Sequence, residues 1–236
     1  MPPHLSIIIP AFNEEDRIGP TLDAVDAHVR SAPYTYEIIV VDDGSRDATA
    51  RIVKEKIPTI NRLSLISLPH NTGKGMAVRT GMLTARGEAR LFMDADNSTS
   101  IEQVDTLLPL LGMYDIIVGS RLVSGAVVAI KQGVFRDVLG AIFRLIAHAT
   151  VPLPVRDTQN GFKLFSARAA QDIFSALKTD GWSFDIEVLV RGQNLDYRIT
   201  EVPIVWKNDG RSKVRLHHMP RMLIDLLRIR LKELTF

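Results

Sequence analysis

The apolar positions of the chain come in short, unbroken runs, each closed by polar residues. Leu5-Ser6-Ile7-Ile8-Ile9 stops at Pro10 and is followed by a polar loop and a helical pattern from about Glu14 to Arg30. The order of strand, loop and helix recurs. Glu37 to Val41 ends in Asp42-Asp43-Gly44-Ser45 before a helix from Asp47, and Leu63 to Leu68 precedes a helix beginning near Gly73. Further runs lie at Arg90 to Met93 and at Asp115 to Val118. Short β-branched runs alternating with helical periodicity predict βα units and a mostly parallel sheet with helices on both faces. Ligands of such sheets bind at the carboxyl ends of the strands, and these polar clusters all stand at such ends.

After Arg121 the alternation weakens. Gln132 to Val151 and Met219 to Leu234 read as amphipathic helices, the first apolar at Val134, Phe135, Val138, Leu139, Ile142, Phe143, Leu145 and Ile146. Two readings fit both stretches: a helix that packs one face on a core, or one that lies in a bilayer surface.

Composition narrows the chemistry. A chain of 236 residues, 46% hydrophobic, can bury a substantial core, and we expect a single domain over residues 1–236. It divides at 1–121, where strand and helix alternate, and 122–215, where the alternation weakens, with a C-terminal amphipathic helix over 216–236. The absence of cysteine excludes disulfides and thiolate metal sites, so a metal would be held by oxygen or imidazole. The net charge of +2 is bland, but from Lys207 onward Lys207, Arg211, Lys213, Arg215, Arg221, Arg228, Arg230 and Lys232 face three acids. That asymmetry points to a phosphate or an anionic membrane surface rather than to nucleic acid. With no run of about 18 apolar residues and no signal-like start at Met1-Pro2-Pro3-His4, the expected location is cytoplasmic, peripheral on the cytosolic face of a membrane.

Asp94-Ala95-Asp96, directly after Leu91-Phe92-Met93, is the candidate metal grip: two carboxylates at a strand end can hold a hard divalent cation, Mg2+ or Mn2+. With 18 aspartates in the chain, about one such triplet arises by chance, so its surroundings must carry the meaning. Upstream, Pro10-Ala11-Phe12-Asn13-Glu14 ends the first strand, where Asn13 could also cap the next helix. Asp42 and Asp43 could likewise cap a helix, or accept hydrogen bonds from a base or ribose. Asn71-Thr72-Gly73-Lys74-Gly75 lacks the full spacing and the final Lys-Ser or Lys-Thr of a nucleotide-binding P-loop, which argues against that class of ATPase. Lys74 can still neutralise a diphosphate, pair with a crevice aspartate, or be a plain surface lysine.

Taken in order, Ile8-Ile9-Pro10-Ala11-Phe12-Asn13-Glu14, Val41-Asp42-Asp43-Gly44-Ser45, Asn71-Thr72-Gly73-Lys74-Gly75 and Asp94-Ala95-Asp96 resemble the motifs of glycosyltransferase family 2. The resemblance implies a GT-A, Rossmann-like nucleotide-diphospho-sugar transferase fold, with Pro10, Ala11, Phe12, Asn13, Glu14, Asp42, Asp43, Lys74, Asp94, Ala95 and Asp96 on the donor and Asp94 and Asp96 on the metal. Gly119-Ser120-Arg121, Arg156 to Phe165 and Trp182-Ser183-Phe184-Asp185-Ile186-Glu187 look like the polyprenyl- and dolichyl-phosphate branch, nearer its glucosyltransferases than its mannose synthases. One departure is Asn97-Ser98-Thr99, where mannose synthases often carry a glutamine.

What the resemblance implies is an inverting transfer of a hexose from UDP-glucose, with GDP-mannose as runner-up, to a polyprenyl or dolichyl phosphate. A phosphate monoester, with a second pKa of about 6, is already largely dianionic at neutral pH and needs cations rather than a general base. Arg121, Arg156, Arg211 and Lys213 are the candidates to hold it, because guanidinium forks match phosphate oxygens. Asp96, Arg121, Arg156 and Asp157 form the expected catalytic set, with Asp157 positioning Arg156 or Lys163 rather than acting as a base. Asp185 and Glu187 read as acids capping a helix start, and His217-His218 as surface. Rival readings are a family 2 transferase with a soluble saccharide acceptor and a non-catalytic, membrane-bound nucleotide-sugar sensor.

Overall fold

The computed structural model describes residues 3–130, 134–207, 209 and 219–233. Its strands are β1 (Leu5–Ala11), β2 (Tyr36–Asp42), β3 (Leu63–Ser67), β4 (Ala89–Met93), β5 (Ile116–Ser120), β6 (Val127–Ile130), β7 (Phe162–Ser166), β8 (Ile199–Pro203) and β9 (Val205–Lys207). The helices are α1 (Ile18–Val29), α2 (Thr49–Lys56), α3 (Lys74–Thr84), the short α4 (Val104–Leu107), α5 (Val134–Thr150), α6 (Ala167–Ala176), α7 (Phe184–Asn194) and α8 (Met219–Glu233).

Seven strands form one sheet in the order β3-β2-β1-β4-β7-β5-β8, while β6 pairs with β9 in a small parallel ribbon. The expected GT-A, Rossmann-like sheet is present, and it is mostly parallel. Only β7 runs against its neighbours β4 and β5. Its reversal is the feature the apolar runs do not announce, and it matters for the site. An antiparallel strand starts at the edge where parallel strands end, so the loop leading into β7 meets the carboxyl ends of β1, β2, β4 and β5.

The continuous apolar runs follow from burial on both faces. Every residue of β1 is buried. Its Leu5, Ile7 and Ile9 join Ile18, Leu22 and Val25 of α1 in one core layer, while Ile8 packs with Val78 and Met82 of α3 and with residues of α6 and α7 in the other. A third cluster joins Ile186 and Val190 on the back of α7 to Phe143 and Ala147 of α5 and Met222, Leu226 and Ile229 of α8. Both readings of the amphipathic helices therefore have a basis: each packs one face, yet Leu145 is 71% and Leu231 66% exposed. No described helix is long and apolar enough to cross a membrane.

The first helix starts later than its pattern suggests, because Asn13 adopts a left-handed φ of 52° and keeps Asn13 to Asp16 in a loop. Asn13 caps no helix: its side chain accepts from the Arg46 amide at 2.8 Å, and its own amide donates to the Ser45 hydroxyl at 2.8 Å. The loops after β1 and β2 are thereby tied together. Capping by Asp42 or Asp43 is also absent. Helix α2 has no side-chain cap, and Asp42 accepts from the Ser45 amide within the preceding turn.

Candidate active site

At the shared edge, the Asp94 amide donates to the Gly161 carbonyl at 3.0 Å, which locks the acid pair after β4 to the loop before β7. Gly161 is required there sterically. A Cβ on it would fall on the Asp94 carboxylate, inside contact distance of its carbon and both oxygens.

Asp94 and Lys74 Nζ form an ion pair at 2.6 Å, so this lysine is no plain surface residue and has a crevice aspartate as its partner. The lysine is aimed by its loop: Asp43 accepts from the Thr72 amide at 2.7 Å, the Thr72 hydroxyl at 2.8 Å and the Gly73 amide at 2.9 Å. Gly73, at φ 103°, allows the close turn, and the Gly75 amide donates to the Asp180 carbonyl at 2.7 Å. Asp43 is 2% exposed, so its carboxylate organises this loop from inside.

Asp96 accepts from the Ser98 amide at 2.9 Å. Burial, and then repulsion from Asp94, push its carboxyl above the usual aspartate range, with the Ser98 hydrogen bonds opposing. Two neighbouring carboxylates that repel one another form a donor set of hard oxygens that a divalent cation would relieve. Among the described residues no cluster of three or more metal-ligating side chains occurs, and Asp94 and Asp96 are the pair that would hold such a cation. Ser98, 9% exposed and tied to Asp96, stands where the mannose-synthase pattern has glutamine.

Across the edge, Asp157 is fully buried and accepts two hydrogen bonds from the Arg121 guanidinium, at 2.7 Å from Nε and 2.8 Å from Nη2, and one from the Arg121 amide at 2.9 Å. The expectation that Asp157 positions Arg156 or Lys163 is therefore corrected: its partner is Arg121. The reason is topological, since β5 ends beside the loop that enters β7. The Arg121 guanidinium also lies 5.3 Å from the Trp206 ring centroid, which fixes it further. Arg156 is exposed, and its backbone amide donates to Glu201 at 2.7 Å, with the Asp157 amide on the same carboxylate at 2.8 Å. Glu201 carries no signal in the sequence, because nothing local to it marks a strand residue as the anchor of a distant loop.

Burial pushes the Asp157 carboxyl up, but the two guanidinium hydrogen bonds and the charge of Arg121 outweigh it and hold the group below the usual range. A carboxylate lowered in the folded state contributes stability above its unfolded pKa, and that contribution is lost as pH falls through the folded value. Asp157→Asn is thus expected to cost about 3 kcal/mol near neutral pH, a gap that narrows below about pH 4. Urea unfolding of both proteins at pH 7 and pH 3 measures it, and an equal gap at both would refute the assignment.

Behind this edge, Lys163 of β7 is fully buried and paired with Asp185 of α7, and its Nζ also donates to the Asn160 carbonyl at 2.6 Å. Desolvation pushes Asp185 up and Lys163 down, and the ion pair opposes both shifts. Asp185 is therefore no helix cap, and α7 has none from its side chains. Glu187 accepts from the Lys178 and Thr179 amides at 3.0 and 2.8 Å and from Arg191 at 2.7 Å.

On the other flank, an open pocket of about 480 Å³ is lined by Asn13, Glu14, Arg17, Arg46 and neighbouring residues. Arg17 links Glu14 at 2.5 Å to Asp209 at 2.7 Å. Phe12 is half-buried, whereas Pro10, Ala11 and Ala95 are buried, with Pro10 and Ala11 in register with Val41 and Asp42. The Ala95 carbonyl accepts from the Thr21 hydroxyl at 2.7 Å. The structure thus brings Asn13, Glu14, Asp42, Asp43, Lys74, Asp94, Asp96, Arg121, Arg156 and Asp157 to one edge. Arg211, Lys213, His217 and His218 lie outside the described residues.

Residues 6–174 match the family model for glycosyl transferase family 2. A dolichyl-phosphate beta-glucosyltransferase of Trichomonas vaginalis is 36% identical over 237 residues, covering 96% of this chain and 70% of that protein. The Homo sapiens dolichyl-phosphate beta-glucosyltransferase is 34% identical, covering 98% and 76%. Among solved structures, glucosyl-3-phosphoglycerate synthase of Mycobacterium tuberculosis, in complex with Mn2+, UDP-glucose and phosphoglyceric acid, superposes with a TM-score of 0.73 at 19% identity, over 98% of this chain and 79% of that one. The same enzyme in complex with UDP gives 0.70 at 18% identity, with 98% and 80% covered.

Proposed function

The chain belongs to glycosyltransferase family 2, and from that premise we propose that it is an inverting hexosyltransferase moving glucose from UDP-glucose to a dolichyl or polyprenyl phosphate. The observation that carries the reading is the meeting, at one sheet edge, of an acidic pair suited to a donor diphosphate and an arginine-bearing loop suited to a second phosphate. The relatives named for dolichyl-phosphate glucosyl transfer support the choice of glucose and of the lipid phosphate.

Asp94 and Asp96 would hold Mg2+ or Mn2+, which supplies neutralisation of the charge that grows on a departing nucleoside diphosphate. The donor's nucleoside end fits the open pocket beside Asn13 and Glu14, while Asp43 acts indirectly by holding the Lys74 loop. On the acceptor side, Arg156 presents an exposed guanidinium, and Arg121, clamped by Asp157, contributes a fixed positive charge. Because Asp157 is buried, held low and saturated by Arg121, positioning suits it and proton abstraction does not. That favours a phosphate acceptor, already charged, over a sugar hydroxyl. The 1–121 and 122–215 division follows the same logic, donor side against acceptor side, within one domain.

Membrane association at the cytosolic face rests on the exposed apolar residues of α5 and α8, among them Leu145, Leu227 and Leu231, next to Arg228. The decisive experiment is a donor panel of labelled UDP-glucose, UDP-galactose, UDP-N-acetylglucosamine and GDP-mannose with vesicle-borne polyprenyl phosphate. A lipid-extractable, acid-labile product is expected from UDP-glucose, and the protein should float with the vesicles. Lipid product from no donor would overturn the reading, and product only from GDP-mannose would reassign the donor.

A further inference from the structure

Lys74 occupies an unfavourable place for a lysine. It is the first residue of α3, where the helix dipole repels a cation, yet its side chain is only 16% exposed. Three side-chain contacts and two braces on its loop hold it there. Its Nζ lies 2.6 Å from Asp94 Oδ1 and sits 5.7 and 5.8 Å from the ring centroids of Trp182 and Phe184, and its loop is braced by Asp43 and by the Asp180 carbonyl. Asp94, at 36% exposure, is the open partner of the pair. Its other flank is closed by Gly161, which leaves no room for a side chain there.

The carboxylate that would grip a divalent cation is therefore already neutralised by an ammonium. A cation at a coordination distance of about 2.1 Å from the same group would face that ammonium at short range, where two positive charges repel strongly. The conflict disappears only when an anion arrives to take the lysine. In the proposed reaction the donor's diphosphate would be that anion.

Resting on the proposed metal-dependent transfer, we infer that Lys74 is a resident counter-ion of Asp94 that competes with the divalent cation and passes to the diphosphate when the nucleotide binds. The lysine thus makes metal binding conditional on nucleotide. Metal alone binds weakly, nucleotide and metal together bind tightly, and by linkage each must strengthen the other by the same factor. Such coupling keeps the acid pair from holding a metal before there is a donor to activate.

The test is equilibrium binding, with no turnover. Free Mn2+ is followed by electron paramagnetic resonance in the full chain, with and without UDP, for wild type, Lys74→Met, Lys74→Gln and Lys74→Arg. In the absence of UDP, Lys74→Met and Lys74→Gln are expected to bind Mn2+ about tenfold more tightly than wild type, since a repelling charge is gone. The tightening caused by UDP should shrink by a similar factor in both, while Lys74→Arg, which keeps the charge, stays near wild type. Calorimetry of UDP binding with and without Mn2+ should return the same coupling factor. Met and Gln variants that keep the wild-type circular dichroism but bind Mn2+ alone no more tightly would overturn the inference while leaving the transferase reading intact. Wild type that binds no Mn2+ even with saturating UDP would instead remove the metal assignment, and the inference with it.

Discussion

Gly161→Ala is expected to lower glycosyl transfer by about a hundredfold, the loss typical when a catalytic group is displaced by about 1 Å. The new methyl group would occupy the space of the Asp94 carboxylate. Either the carboxylate rotates away or the β7 loop shifts, and both moves separate Asp94 from Asp96 and from Lys74 at once. The backbone at Gly161 is not in the left-handed region, so alanine itself is tolerated and the damage is steric. Overpacking of this kind costs about 1–3 kcal/mol, which a domain of ordinary stability survives. The signature is thus a folded protein with little activity, read from initial rates against Mn2+ concentration beside a urea melt. Near-wild-type rates from a well-folded Gly161→Ala would dissociate Asp94 from the chemistry.

The second large effect is on stability. Lys163→Ala leaves the buried Asp185 without the ammonium it is paired with, and removing one partner of such a pair costs about 3–5 kcal/mol. Against a typical total of about 5–15 kcal/mol, that change brings the protein close to unfolding. The double variant Lys163→Met with Asp185→Leu removes both charges and keeps the volume, so it should recover most of the loss. Chemical denaturation of the single and double variants measures this. A double variant as unstable as the single would mean that the pair contributes through something other than charge compensation.

The two variants separate two tasks of adjacent residues. Gly161 supports the acid pair on the open edge, and Lys163, two positions along the chain, supports the strand behind it. The string from Arg156 to Phe165 mixes both tasks, which is why its motif could be recognised while its parts could not be assigned.

Much of the donor side was legible from the chain. Apolar runs closed by Asn13, Asp42, Asp43 and Asp94 predicted strand ends, and the strands of β1, β2, β3, β4 and β5 formed where those runs stood. Local pattern suffices there because a strand buried on both faces must be apolar throughout. The acceptor side was harder to read. The strands β8 and β9 are short and partly exposed, and β7 carries a lysine inside the sheet layer, so periodicity marks none of them clearly. The amphipathic helices were visible, but their split between a packed face and an exposed face depends on α7 lying beneath them.

By itself, the sequence determined the order of elements as far as β5, the family and the set of polar residues that stand at strand ends. Only the tertiary structure decided how those residues pair: Asp157 with Arg121 rather than Arg156, Lys163 with Asp185, and Lys74 with Asp94. The physical reason is that ion pairing depends on separation in space and on burial, and both are set by the strand order. The reversed β7, wedged between β4 and β5, makes neighbours of segments far apart in the chain.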